Sequence, residues 1–147
     1  MTASRPIVAE RELRGLEVVL AQLGDSMGPD LIIGRIEGAL RFEALQEACF
    51  RVQQRHPSLR AAIVWPGGDE QQRARLRAHA PDRHALDIEQ IDGGAVSWQE
   101  AAQQQSRHRF DLQRGFLFRV VWVRERGGAG GHLIVCSLIS DVPSTIA

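Results

Sequence analysis

Lysine is missing from this sequence: all 18 basic residues among its 147 are arginine. The choice of arginine is read as a base-composition effect of a GC-rich genome rather than as function, although the two cations differ chemically. Acidic residues match the basic ones in number, so the formal net charge is zero. That balance argues against nucleic acid or an anionic membrane as the main partner. Aromatic residues make up only 5% of the chain, which implies a core packed from aliphatic side chains. There are two cysteines, Cys49 and Cys136, each among apolar neighbours. Such a pair reads as buried small hydrophobes, not as a disulfide or metal pair. No run approaches the roughly 20 apolar residues of a membrane span. The stretch from Met1 to Pro6 leads into charged sequence without the apolar core of a signal peptide. A cytoplasmic protein without a membrane span is the expectation. No internal repeat or long low-complexity linker interrupts the chain.

What remains is an ordinary globular composition, 44% hydrophobic, in a chain long enough to bury a core. Leu13, Leu16, Leu20 and Leu23 recur at spacings of three and four, one apolar stripe of a helix closed by Gly24. Leu31 to Ile36 reads as a strand. A second helix carries Phe42, Leu45, Cys49 and Val52 on one face. It must stop at His56, because the residue before Pro57 is pushed out of the helical region. Leu59 to Trp65 reads as a short strand ended by Pro66-Gly67-Gly68. Asp69 to Arg83 is charged and aperiodic, an exposed strand or loop. Its arginines are interspersed with acids and lack interleaved aromatics, so they read as solvated surface rather than an anion site. His84 to Ile91 looks like a strand with Leu86, Ile88 and Gln90 on one side. Ser97 is placed to cap a third helix, with Glu100 as capping-box partner, running to about His108.

The strongest pattern lies near the end. Gly115–Arg124 and His132–Ile139 are strand-like runs joined by the polar, glycine-rich stretch 125–131, which reads as an antiparallel hairpin. Alternation puts Phe116, Phe118, Val120 and Trp122 on one face and Leu117, Arg119, Val121 and Val123 on the other. Both faces are apolar, so this strand should be covered on both sides. Arg119 is the exception, and a buried cation needs a carboxylate or several carbonyls beside it. Asp141, just past the second run, is the nearest candidate partner. The order of elements predicts an α/β fold with helices layered on a mixed sheet.

Two segments carry a resemblance to a known family. The stretch from Leu40 to Ala61, with Ala44-Leu45-Gln46-Glu47-Ala48 leading to Arg55-His56-Pro57-Ser58-Leu59-Arg60, resembles the second-helix signature of nonribosomal peptide synthetase condensation domains. Phe110-Asp111-Leu112-Gln113-Arg114-Gly115-Phe116-Leu117-Phe118-Arg119 looks like that family's FDL..G.L.R segment. The resemblance implies a half-domain of the chloramphenicol acetyltransferase-like fold, residues 1–147 forming an N-terminal lobe whose C-terminal lobe is absent.

The family's working motif, HHxxxDG, should follow the hairpin, and here it is degraded. One alignment sets it on Cys136 to Val142, so that Ser137 stands where the second histidine belongs and Asp141 is the retained structural aspartate, paired with Arg119. A shifted alignment puts the histidine pair on Ile139-Ser140 and the aspartate on Ser144. Either way the histidine thought to position or deprotonate the incoming nucleophile is missing. Serine cannot replace it without a base alongside. None of His56, His79, His84, His108 and His132 is an evident substitute, and no nearby sequence supplies Ser137 with a base.

The resemblance therefore implies a relative of enzymes that transfer acyl groups from phosphopantetheine or CoA thioesters to amines or hydroxyls, catalytically incompetent as this chain. No resident cofactor or metal is implied. The partners implied are a carrier protein or a separate C-terminal lobe, and uncovered apolar surface would otherwise favour self-association. A carrier- or partner-binding module without catalysis, and a truncated product without activity, are the other readings.

Overall fold

A computed structural model describes residues 5–23, 26, 28–68 and 73–138. Among these residues seven strands and three α-helices follow one another as β1 (Ile7–Glu12), α1 (Leu16–Leu23), β2 (Asp30–Glu37), α2 (Phe42–Arg55), β3 (Ala61–Val64), β4 (Arg75–His79), β5 (Ile88–Asp92), α3 (Trp98–Ser106), β6 (Phe118–Arg124) and β7 (Gly130–Ser137). The strands form two sheets, not one. β1-β4-β3 is antiparallel throughout; β2-β7-β6-β5 is mixed, with β5 running parallel to β6 and the other pairs antiparallel. The α/β class expected from the element order holds, and so does the hairpin of β6 and β7.

β6 is covered on both faces, as its two apolar rows require. On one face Val121 and Val123, with Ile134 and Cys136 of β7, pack against Ala101 and Ala102 of α3. On the other, Phe118, Val120 and Trp122 meet Leu45 of α2, with Cys49, Leu133 and Val135 alongside. Parallel pairing with β5 leaves no free edge on β6, and an interior strand can afford apolar residues on both sides.

α2 runs along its apolar stripe and ends where Pro57 forces His56 into extended backbone. The chain then turns through Pro57–Arg60 into β3. Arg60 is a cation only 6% exposed. It donates from Nη1 to the carbonyls of Gln53 and Gln54 at 2.9 Å each, and from Nε to the backbone carbonyl of His79 at 2.9 Å. A guanidinium on the last carbonyls of a helix also complements the helix dipole. Gln53, fully buried, locks the same corner by exchanging hydrogen bonds with the Asp82 backbone, 3.0 Å to its carbonyl and 2.8 Å from its N–H.

Several sequence expectations need correction. β1 was not foreseen: it is an exposed edge strand whose alternating charges, Glu10 to Arg75 and Arg77, make cross-strand ion pairs instead of a core. The first helix accordingly starts at Leu16, not Leu13. Residues 83–85 are a single 3-10 turn, so the expected strand over His84–Ile91 begins only at Ile88. β6 begins at Phe118, not Gly115, because Gly115 and Phe116 both adopt positive φ, +79° and +54°. At Gly115 a Cβ would stand 2.9 Å from the Ala61 carbonyl, so this turn admits only glycine without a shift. Ser97 does cap α3, its hydroxyl accepting the Glu100 N–H at 3.2 Å.

Candidate functional site

The two segments that carry the family resemblance meet in space. Phe116 N–H donates to the Ala61 carbonyl at 3.1 Å, and Ile63 N–H to the Leu112 carbonyl at 2.9 Å. The glycine of the second segment is thus required by close approach of the first. Together they deliver the chain into β6, and β6 hands its register to β7: Arg119 lies opposite Cys136, and Phe118 opposite Ser137.

Adjacent residues of β7 face different environments. Cys136 is fully buried beneath α3, and burial pushes its thiol up to about 11. At neutral pH it is a protonated small hydrophobe, as its apolar neighbourhood suggested. Cys49 is half-buried on α2, and its thiol too is shifted up by burial. Ser137 points the other way, with Leu133 and Val135, into a groove of about 320 Å³ between α2 and the sheet. Its hydroxyl is buried and has no hydrogen-bond partner among the described residues.

No histidine attends it. His132 stacks on Trp98 at 4.7 Å, His79 on Phe116 at 5.8 Å, and His108 meets Phe110 edge-on at 4.6 Å. Burial, with Arg5 and Arg77 nearby, lowers the His79 pKa; burial and Arg119 lower that of His108. The carboxylate that does adjoin Ser137 is Asp30, its register partner across β2, which sequence reasoning missed because 107 residues separate them in the chain. No hydrogen bond joins the two among those described. Without an imidazole between them they make no nucleophile–base pair.

Among the described residues Arg119 has two carboxylate partners that the sequence reading did not name. Its guanidinium bonds to Asp87 at 3.3 Å and to Glu89, both from the β5 side of the sheet. Its Nε is buried and unpartnered among the described residues. Asp141, its expected partner, lies outside the described residues, as do Ile139, Ser140 and Ser144 of the shifted alignment. The carboxylates were legible in principle: alternation along β5 sets Asp87, Glu89 and Ile91 on one side, facing the row that contains Arg119. What could not be read was that β5 lies parallel beside β6. A second, polar cleft of about 430 Å³, between His84 and Asp87 on one side and His108, Arg109 and Arg114 on the other, does not include Ser137.

Comparison with solved structures identifies this architecture as the condensation-domain fold, in its chloramphenicol acetyltransferase-like form. The chain is similar to the condensation domain of the Monacolin K polyketide synthase MokA, at 18% identity and a TM-score of 0.74 over 90% of this chain and 30% of that one. It is similar also to the epimerization domain from the third module of tyrocidine synthetase B, at 16% identity and a TM-score of 0.67 over 92% and 31%. The first condensation domain of the calcium-dependent antibiotic synthetase, in complex with a substrate analogue, matches at 20% identity and 0.65 over 82% and 30%. The chain therefore spans just under a third of the length of these structures. At such identities the shared property is the fold. No family model and no curated protein matches the sequence. No helix among the described residues is long and apolar enough to cross a membrane.

Proposed function

We propose that this chain is a condensation-domain-like lobe of nonribosomal peptide or acyl-conjugate biosynthesis. In this reading it handles a phosphopantetheine- or CoA-bound acyl group without transferring it on its own. The observation that carries the reading is the end of β7. In the alignment that the resemblance suggests, the position of the family histidine falls on Ser137, a buried hydroxyl with no hydrogen-bond partner and no imidazole beside it among the described residues. Serine there can hydrogen-bond but cannot accept a proton from an attacking amine at neutral pH. Transfer would require a second lobe and a base from elsewhere, whether in a longer chain or in a separate one. A partner-binding role without catalysis is favoured by the apolar surface of β2, where Ile32 is 66% exposed.

Two measurements test this. Incubated with octanoyl-CoA or an acylated carrier protein and an amine acceptor, the purified chain should give no turnover above the uncatalysed rate. Turnover that vanishes in Ser137→Ala would overturn the incompetent-lobe reading. Calorimetric titration with a phosphopantetheinylated carrier protein should show association; heat-silent mixing at high concentration would remove the carrier-handling part.

A further inference from the structure

The polar cleft that excludes Ser137 carries charges the fold does not use. It encloses about 430 Å³, within the size range of small-molecule sites, and shares no lining residue with the groove beside Ser137. Its two carboxylates are already engaged. Asp87 bonds to Arg119 at 3.3 Å, and Asp111 Oδ1 accepts the backbone N–H groups of Gln113 and Arg114 at 3.1 and 3.3 Å. Arg5 is engaged too, by Asp82 at 2.8 Å. The guanidiniums of Arg109 and Arg114 are different. Both are exposed at the cleft, and neither makes a hydrogen bond or ion pair among the described residues.

The surface beside them is built from fixed parts. Phe116 is 6% exposed and holds φ +54°, a left-handed backbone that residues other than glycine seldom keep. Its ring stacks on His79 at 5.8 Å, and the Arg5 guanidinium lies 5.0 Å from its centroid. Residues held in such conformations gather at binding sites, where the surroundings keep them in place. Phe110, half-buried against His108, and Leu86 add apolar surface. His84 and His108 bring imidazoles to the same cleft, and a neutral imidazole donates an N–H without adding a charge.

Two guanidiniums without carboxylate partners ask for an anion, and the planar fork of arginine matches phosphate oxygens. A dianion gains from both arginines at once, whereas a monocarboxylate divides one charge between them. Inorganic phosphate alone leaves the apolar surface of Leu86 and Phe110 unused. We propose that this cleft binds a phosphate monoester of a small organic molecule, its phosphate held by Arg109 and Arg114 and its body lying against Phe110. The site stands apart from the end of β7 and does not rest on the condensation-type reading.

The test is calorimetric titration of the chain at low salt with phenyl phosphate, inorganic phosphate, benzoate and phenol. Phenyl phosphate should bind tightest, inorganic phosphate and benzoate about 5-fold or more weakly, and phenol not measurably. Arg109→Gln and Arg114→Gln should each weaken phenyl phosphate about 5-fold, roughly the value of one partly exposed ion pair. Arg107→Gln, exposed but outside the cleft, should leave binding unchanged. All three positions are exposed, so the circular dichroism spectrum should not change. In the unsubstituted chain, phenyl phosphate should also move the NMR resonances of the His84 and His108 rings. No binding at millimolar phenyl phosphate, with both imidazoles unmoved, overturns the site. An equal loss in Arg107→Gln overturns it too, since the attraction would then belong to a basic surface in general. Benzoate binding as tightly as phenyl phosphate overturns the choice of phosphate. Phosphopantetheine binding more tightly than phenyl phosphate would make the cleft part of carrier handling and overturn it as a separate site. A phosphotyrosyl peptide binding more than tenfold tighter than phenyl phosphate would overturn the small-molecule assignment in favour of a phosphoprotein.

Discussion

The two faces of the four-stranded sheet differ although the same strands make both. Under α3, Val121, Ile134 and Cys136 are fully buried and packed. Under α2, Trp122 and Phe118 are buried near Leu45, but toward β2 the packing opens into the groove that Ser137 lines. The difference follows from the helices. α3 presents alanines, Ala101 and Ala102, which let it lie close on the sheet. α2 presents larger side chains, and its Val52 stands away from the strands, 47% exposed. The closed face is packed solid, and the open face keeps a groove.

The largest expected effect breaks that contrast by truncation. Ile134→Ala, on the closed face, removes three buried carbons from a site with no room to collapse and should cost about 2–5 kcal/mol. Ile32→Ala, on the exposed rim of the open face, should change stability by no more than roughly 0.5 kcal/mol. Urea unfolding at unchanged m separates the two. Similar losses at both positions would mean that the open face is covered in solution, by a partner or a second copy, and sedimentation of the wild-type chain would then show the assembly.

The sequence made the closed face more legible than the open one. The apolar rows of β6 and β7, their glycine-rich turn, the stop of α2 at Pro57 and the Ser97 cap are local signals, and each appears where local physics puts it. What was hidden depends on partners far apart in the chain. β1 reads as charged coil because its glutamate and arginine side chains find cross-strand partners only once β4 lies beside them. Arg60 looked like a signature residue and serves as a carbonyl-bound clamp. At the candidate site, Ser137 and its orientation were readable from alternation. Asp30 across the strand was not, since it depends on β2 pairing with β7 far along the chain, and the groove was not, since it depends on how α2 packs over the sheet.

Arg119 sharpens the comparison, because it is the one charge in the row that faces α3. Its side chain is 18% exposed, but its partners Asp87 and Glu89 are 47% and 48% exposed, so water screens the pair. A double-mutant cycle of Arg119→Met with Glu89→Gln should give a coupling of about 1 kcal/mol or less, well short of the roughly 3–5 kcal/mol for breaking a fully buried pair. The same cycle with Asp141→Asn decides between partners. Strict additivity there keeps the β5 carboxylates as the ones that matter; coupling larger than with Glu89 would restore the pairing expected from sequence.

The smallest effect is a pH dependence at the margin of the closed face. Burial first, and Arg119 second, lower the His108 pKa, while Asp87 works in the opposite direction. A histidine whose folded pKa lies below its unfolded value of about 6.5 binds fewer protons folded than unfolded as pH falls through that range. Its neutral form therefore contributes stability that is present above about pH 6.5 and is lost progressively as pH drops toward the folded pKa. His108→Gln should flatten that part of the pH–stability curve. The neighbouring groups give a more specific readout. In Arg119→Met the cation is gone and Asp87 is left unneutralised, so the His108 resonance in an NMR titration should shift its midpoint upward. It should not recover its ordinary value, because burial against Phe110 and the strand remains the larger cause. An unmoved midpoint would show that Arg119 does not reach His108, and the charge would then belong to the β5 edge rather than to the face that α3 closes.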